Sequence, residues 1–357
     1  MNSTSPPLEQ NPPLAVGDSE ALSRVGTGVK RKSKTLRTAI LYIVLIVLLY
    51  FALRSAPFGE IWDVLKQLQL SQIGLLLLIN AGVILAMTAR WWVIVRADNP
   101  SIPFLPLIKY RLSVFGLSYF TPGPQVGGEP LQVYYLKKNH GLTFARSTSA
   151  VIMDKLLEFL ANFILIGIGL TAALRVGMIS QNGTQTLGSV IPMAAILVWP
   201  FLHLVLLRRG RYPISSLLRA ATPILGNPKW VRLIIVSERM AASFTRRKLP
   251  ALLGALFFSM LAWGGMAVEI FLMADFLNAR LSYEQTLAAL TAALLAFLLP
   301  LPGGLGALEA SQVFALTSMG HAPAIGISLS LIMRGRDILN GGIGLLLAGK
   351  FFRDINR

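Results

Sequence analysis

The sequence predicts an all-α polytopic membrane protein with about seven transmembrane helices and two re-entrant broken hairpins in an inverted-topology repeat. Three observations predict it: apolar stretches of membrane-spanning length, basic residues confined to alternate loops, and two Pro/Gly-rich segments that match at an offset of 180 residues. Of the 357 residues, 54% are hydrophobic and 14% are charged. A single soluble core cannot bury that much apolar surface, so we expect the chain to cross a membrane.

The apolar stretches define the expected spans. A helix needs about 20 apolar residues to cross the hydrocarbon layer. Residues 1–35 are rich in Pro, Ser and Gly, and we expect a disordered basic tail before a membrane domain at 36–352. The expected spans are 38–53, 73–95, 147–174, 187–207, 249–277 and 324–349, and a seventh region, 284–299, runs into a Pro-Gly break.

The basic residues set the expected orientation. The net charge is +17, and "KRKSKTLR" at 30–37 precedes the first span while ten Lys/Arg lie in the connection 208–248. The loops 175–186 and 278–283 carry one Arg each. By the positive-inside rule, both termini are cytoplasmic in an inner (plasma) membrane, and 208–248 is an amphipathic connection on its inner leaflet. This topology accounts for the charge, so no nucleic-acid partner is expected.

Two segments that combine helix breakers with apolar residues carry the repeat. "TPGPQVGGEPLQVYYL" at 121–136 and "PLPGGLGALEASQVFAL" at 300–316 share the matched pairs Glu129/Glu309 and Gln132/Gln312. The repeat halves are about 73–174 and 253–352, and threading the chain makes the first hairpin enter from the cytoplasm and the second from outside. The hairpin-breaking residues are Pro122, Gly123, Gly127, Gly128, Pro302, Gly303, Gly304 and Gly306.

Such paired, broken segments indicate a transporter binding site. Irregular backbone at membrane depth is tolerated only inside protein or against a water-filled cavity. The half-helices that follow the breaks aim their N-terminal dipoles at that cavity, which favours an anion.

Charged residues inside the spans are the candidate site. They occur in "VIMDKLLEFLANF" (Asp154, Lys155, Glu158), in "LIMRGRDILN" (Arg334, Arg336, Asp337), and singly as Glu129, Glu269 and Glu309. Each costs about 2.5 to 3.5 kcal/mol on insertion scales, so they should face the interior and pair.

Two compatible interpretations of these charges stay open. In one, Asp154 and Glu158 form structural ion pairs with Arg334 and Arg336, while Glu129 and Glu309 cap half-helices. In the other, Arg334, Arg336, Lys155, Glu129 and Glu309 bind substrate, with the guanidinium groups on a phosphate, and Asp154, Glu158, Asp337 and Glu269 serve as ion pairs or in coupling. "ARWW" at 89–92 is interpreted as an interfacial anchor.

The motifs also resemble a known family. "PGPQVGGEP" followed by "GLTFARSTSAVIMDKLLEF", together with "PLPGGLGALEA", is similar to the membrane domain of bacterial lysylphosphatidylglycerol synthases and to the flippase-like integral membrane proteins related to it. The resemblance covers about 36–352 and implies movement of a lipid between leaflets, without the aminoacyl-transfer domain. Gln125 and Gln132 stand where many members carry a basic residue, which shifts the expected phosphate contact toward Arg334 and Arg336.

The expected function is therefore a lipid flippase for an anionic-headgroup lipid, of the phospholipid or polyprenyl-phosphate type. No cofactor or metal is expected, since the chain has no cysteine and three scattered histidines. Without a nucleotide-binding loop, any driving force is a gradient, such as protons through Glu129, Glu158, Glu269 or Glu309. The alternatives are a membrane-embedded lipid-linked transferase, for which no catalytic constellation is seen, and a non-catalytic envelope-biogenesis partner. Expected partners are the lipid, a second copy of the chain, or envelope lipid-synthesis enzymes.

Overall fold

A computed structural model describes residues 58–120, 127–178, 198–199, 201–225, 229–299 and 301–355. All of them belong to one compact unit, residues 55–357. The described residues form helices and contain no strand, which confirms the all-α prediction. The predicted tail 1–35, the predicted span 38–53 and most of the span 187–207 lie outside the described residues, as do Pro122 and Gly123.

The helices are labelled here in chain order. They are α1 (Phe58–Leu65), α2 (Leu70–Asp98), α3 (Phe104–Phe120), α4 (Glu129–His140), α5 (Phe144–Arg175), α6 (Pro213–Leu225), α7 (Lys229–Arg247), α8 (Leu249–Phe276), α9 (Tyr283–Phe297), α10 (Ala307–Ser318) and α11 (Pro323–Ile355). A 3₁₀ turn, Pro302–Gly304, lies between α9 and α10, and residues 201–208 are also helical.

Among the described helices, three are long and apolar enough to cross a membrane: α2, α8 and the part of α5 from Arg146 to Arg175. They coincide with the predicted spans 73–95, 249–277 and 147–174. Helix α11 covers the predicted span 324–349 with 33 residues, but Arg334, Arg336 and Asp337 interrupt its apolar sequence. The predicted segment 284–299 is found as α9, which has 15 residues.

Local sequence signals explain where several helices begin and end. Thr143 accepts a hydrogen bond from the backbone N–H of Arg146 and so caps α5. Ser282 and Gln285 form a reciprocal capping box at the start of α9. Helix α4 ends at Gly141, whose φ of 65° is left-handed and suits glycine.

Most of the described helices form two groups that follow each other along the chain. The first helix group is α2–α5 and the second helix group is α8–α11. Helix α2 packs along α8, α3 packs on α11, and α5 packs on α9. Within the groups, α4 lies on α5 and α10 lies on α11. Every one of these contacts therefore has a counterpart when the first group is exchanged for the second in chain order.

Glycines allow the closest of these contacts. A Cβ atom added at Gly344 of α11 would lie 2.0 Å from the carbonyl oxygen of Leu112 in α3. At the matching contact, a Cβ added at Gly169 of α5 would lie 1.6 Å from Oγ1 of Thr291 in α9. Because small residues let helix backbones approach within a membrane, these glycines set the spacing of the two groups.

A buried charge system around a cavity

The first charge cluster is built around the carboxylates of Asp154 and Glu158, which lie one turn apart on the same face of α5. Arg90 of α2 binds both, with Nε 2.7 Å from Oδ1 of Asp154 and Nη2 2.7 Å from Oε2 of Glu158. Arg111 of α3 binds the same pair at 2.8 and 3.1 Å. Two guanidinium groups thus bridge two carboxylates, and three helices are tied together.

Lys155 extends this cluster toward the first hairpin. Its Nζ lies 3.0 Å from Oε1 of Glu158 and 3.2 Å from Oε1 of Glu129, the first residue of α4. The other oxygen of Glu129 accepts a hydrogen bond from the backbone N–H of Gly127 at 2.7 Å. Glu129 therefore holds the hairpin backbone and the lysine at once. The complete first charge cluster is Arg90, Arg111, Glu129, Asp154, Lys155 and Glu158.

The second charge cluster lies in the second helix group. Arg336 of α11 places Nη1 2.6 Å from Oε2 of Glu269 in α8, and its Nη2 lies 2.8 Å from Oδ1 of Asp337. Arg334, two residues earlier on α11 and on a different face of that helix, pairs with Glu309 of the second hairpin. These five residues are the second charge cluster. Each hairpin glutamate, Glu129 and Glu309, is thus paired with a cation on the long helix that follows it.

The ion-pair partners differ from those expected. Asp154 and Glu158 pair with Arg90 and Arg111, so the interpretation that they pair with Arg334 and Arg336 is wrong. Arg90 is also not an interfacial anchor, because only 1% of its side chain is exposed. The position of Arg90 in the sequence indicates this role, because an arginine inside an apolar span is expected to pair with a buried carboxylate. The sequence does not predict Arg111 as a site residue, because a basic residue just before the first hairpin is also typical of a cytoplasmic flank.

A cavity of about 190 Å³ lies between the two helix groups. Its charged wall joins both clusters: Arg111, Lys155 and Glu158 come from the first, and Arg336 and Asp337 come from the second. The remaining predicted site residues, Glu129, Asp154, Glu269, Glu309 and Arg334, pair beside the cavity and do not line it. The apolar part of the wall includes Phe115, Phe159, Trp263, Leu294, Phe297 and Leu298.

The second hairpin break is described by the structure except for residue 300, whereas the described part of the first break begins at Gly127. Gly303, Gly304 and Gly306 all have positive φ, at 56°, 63° and 76°, so the helix is interrupted where the prediction places the second break. In the first hairpin, Gly127 and Gly128 form the bend that leads into α4. Tyr119, at the end of α3, lines the cavity, and a Cβ added at Gly303 would lie 2.9 Å from its ring. The end of α3, just before the first break, therefore contacts the second break at the cavity wall.

Long apolar helices around a charged cavity define the chain as a polytopic membrane protein. The family model described as the lysylphosphatidylglycerol synthase TM region matches residues 36–341. The chain therefore belongs to this family, as the motif resemblance predicted.

Two relatives support this assignment. A UPF0104 membrane protein of Pyrococcus horikoshii is 21% identical over 282 residues, which cover 74% of this chain and 82% of that protein. A UPF0104 membrane protein of Methanothermobacter thermautotrophicus is 31% identical over 135 residues, which cover 37% of each chain. No solved structure matches the chain. The names of both relatives place them in a membrane and state no activity.

Proposed function

We propose that the protein is a lipid flippase that moves an anionic-headgroup lipid, of the phospholipid or polyprenyl-phosphate type, between the leaflets of the inner membrane. The observation that carries the proposal is the cavity, whose wall presents Arg111 and Lys155 from one helix group and Arg336 from the other. A phosphate held there contacts both groups at once. Movement of the phosphate through the protein is then linked to the relative movement of the two helix groups.

Burial separates the cations that hold the fold from those that reach the headgroup. Arg90 and Arg334 are sealed, with 1% and 2% of their side chains exposed. Arg111, Lys155 and Arg336 retain partial exposure and face the cavity. A guanidinium group binds a phosphate through two parallel hydrogen bonds. The headgroup phosphate thus takes the place of the carboxylates of Glu158 and Asp337 beside these cations.

The apolar wall suits the lipid chain. Phe115, Phe159, Trp263 and Phe297 form a hydrophobic surface beside the three cations. Leu298 lines the cavity and is also 45% exposed on the outer apolar surface. An acyl or prenyl chain can therefore lie against the helices and in the bilayer while its headgroup enters the charged pocket.

The matched contacts of the two helix groups support an alternating movement. With about seven transmembrane helices and cytoplasmic termini, the halves 73–174 and 253–352 form an inverted repeat, and the site lies between its two hairpins near the bilayer midplane. In transporters built this way, one repeat rocks against the other around a fixed site. The α2–α8 interface supplies the surface on which the halves move.

Reconstitution into liposomes tests the proposal. Leaflet exchange is measured in parallel with fluorescent phosphatidylglycerol, fluorescent polyprenyl phosphate and fluorescent phosphatidylcholine, the last as a lipid without net charge. We expect exchange of at least one anionic lipid to exceed that of empty liposomes. Lys155→Met and Arg111→Gln should slow it about tenfold, as expected when about 1.4 kcal/mol of binding is lost.

The matched control is Arg96→Gln, because Arg96 is exposed on α2 and stacks on Trp92 away from the cavity. It should exchange lipid at the native rate. Exchange no faster than in empty liposomes for every anionic lipid defeats the flippase proposal. Chemical conversion of the labelled lipid by the protein would indicate the transferase instead.

A further inference from the structure

The two charge clusters differ in their balance. The first contains the cations Arg90, Arg111 and Lys155 and the carboxylates Glu129, Asp154 and Glu158, which cancel. The second contains only two cations, Arg334 and Arg336, against the carboxylates of Glu269, Glu309 and Asp337. With every group ionised, the second cluster carries one uncompensated negative charge.

The second cluster is too deeply buried to hold an uncompensated negative charge. The side chain of Glu269 is 0% exposed, and that of Asp337 is 8% exposed. An unpaired ion in such surroundings costs several kcal/mol even after relaxation. The cluster must therefore take up a cation.

The contacts indicate which carboxylate takes it. Asp337 is held by two nitrogens of Arg336, Nε at 2.9 Å and Nη2 at 2.8 Å. Glu269 receives one charged donor, Nη1 of Arg336 on Oε2, and a hydrogen bond from the neutral side-chain amide of Asn80. Its Oε1 is buried and meets no donor at hydrogen-bond distance within the described part of the chain. Asp337 is thus the better-satisfied anion. The free oxygen of Glu269 is the open position.

The neighbours of Glu269 favour a proton over a metal ion. The charged groups acting on it are Arg336 and Asp337, both from α11, and helix α2 contributes the neutral amide of Asn80. The other helices packed on α8, namely α5, α7 and α9, bring no charged side chain against it among the described residues. The guanidinium of Arg336 touches both carboxylates and repels a metal cation. No group of three or more His, Cys, Asp or Glu arranged for a metal occurs in the described ranges.

We propose that Glu269 is a proton-binding site that couples lipid movement to the proton gradient, an inference that rests on the proposed flippase function. A proton from the aqueous phase adds to the carboxylate of Glu269 and leaves Arg336 and Asp337 as a neutral pair. An anionic headgroup at Arg336 adds negative charge beside Glu269 and so strengthens proton binding. Since such coupling is reciprocal, the bound proton strengthens headgroup binding, and the two cross together.

Infrared spectroscopy of the reconstituted protein tests the proton site without any transport. The native protein should show a carboxylic-acid carbonyl band at neutral pH, and Glu269→Gln should abolish it. Glu284→Gln is the matched control, because Glu284 is a solvent-accessible carboxylate paired with Arg175 on the surface. A band that survives Glu269→Gln, or that disappears in Asp337→Asn with Glu269 intact, overturns the assignment.

Liposome exchange under an imposed pH gradient tests the coupling. For the native protein, fluorescent phosphatidylglycerol should move from the acidic-side leaflet to the alkaline-side leaflet faster than in the opposite direction. Glu269→Gln should remove this difference. Exchange by the native protein that ignores the gradient refutes the coupling and leaves the flippase proposal standing. Absence of all exchange beside an intact infrared band refutes the flippase proposal and leaves the proton site standing.

Discussion

Each charge cluster joins the first and last helices of its group by an ion pair, but the cation and the carboxylate are exchanged between the two clusters. In the first, the cation Arg90 stands on the early helix α2, and the carboxylates of Asp154 and Glu158 stand on the late helix α5. In the second, the carboxylate of Glu269 stands on the early helix α8, and the cation Arg336 stands on the late helix α11. Asp154 and Arg334 even occupy matching positions at the offset of 180 residues. Both helix groups thus contain an ion pair between their first and last helices, and either helix can carry the cation.

The two clusters differ in their net charge. The first cluster is balanced: Asp154 contacts two cations and Glu158 contacts three. The second has one carboxylate more than it has cations, and Arg336 is shared between two of these carboxylates. We therefore interpret the first cluster as the more rigid structural element and the second as the one that changes its charge.

The largest expected effect is the loss of Arg90. Arg90→Met strands two buried carboxylates of the first charge cluster on one remaining arginine, Arg111, and should lower the free energy of unfolding by about 3 to 5 kcal/mol. Urea titration of the protein in detergent micelles measures this. Arg336→Met should cost less, because Glu269 is already neutral in the proposed state and only Asp337 is stranded.

Arg96→Met is the control for the arginine substitutions, because Arg96 is exposed and makes its contact with the Trp92 ring. It should change the free energy of unfolding by less than about 1 kcal/mol. Equal effects of Arg90→Met and Arg336→Met would remove the distinction between a balanced and an unbalanced cluster.

The two matched helix contacts give an intermediate effect. Gly344→Ala places a methyl group against the carbonyl oxygen of Leu112, a backbone atom that cannot rotate away, and should cost about 1 to 3 kcal/mol. Gly169→Ala meets the hydroxyl of Thr291, which can change rotamer, and also the carbonyl oxygen of Leu287 at 2.9 Å, which cannot. Because this backbone contact is longer than the 2.0 Å contact at Gly344, its cost should be smaller.

Gly342→Ala is the matched control on α11, since nothing lies within 4 Å of its added Cβ. It should be neutral or slightly stabilising, because alanine is the better helix former. The same urea titration ranks the three variants. A cost for Gly169→Ala above that for Gly344→Ala would show that the α5–α9 contact is the tighter one.

The smallest expected effects come from the paired glutamines of the hairpins. Gln312 donates from Nε2 to the carbonyl oxygen of Ala289 at 3.0 Å, whereas neither polar side-chain atom of Gln132 has a partner in the described ranges. Gln312→Met should therefore cost about 1 kcal/mol, and Gln132→Met should be neutral or stabilising. Destabilisation by Gln132→Met, seen in the same titration, would indicate a partner among the neighbouring residues that the structure does not describe.

The sequence predicts the helices well because apolar length and basic flanks act locally. The spans 73–95 and 147–174 fall within helices of suitable length and composition, and 249–277 matches such a helix to within one residue. The second hairpin break was also predictable, because Gly303, Gly304 and Gly306 permit a left-handed backbone that interrupts a helix.

The partners of the charges were not predictable, because they depend on which helices become neighbours and how each is rotated. Asp154 and Arg334 match in the repeat, yet each bonds within its own helix group, to Arg90 and to Glu309. The cavity-facing position of Arg111 depends on the same rotation, since its neighbour Lys109 on α3 lies outside the cavity wall. Sequence alone identifies most of the charged residues of the site, Arg90 and Arg111 excepted, and not the pairs that they form.

Trp263 gives the cavity an optical reporter of its own. It lies in the cavity wall with 7% of its surface exposed, and it is one of six tryptophans in the chain. Bromine atoms on a lipid chain quench indole fluorescence on contact. The quenching lost between the native protein and Trp263→Phe therefore measures how often a brominated lipid occupies the cavity, with no dye attached to the headgroup.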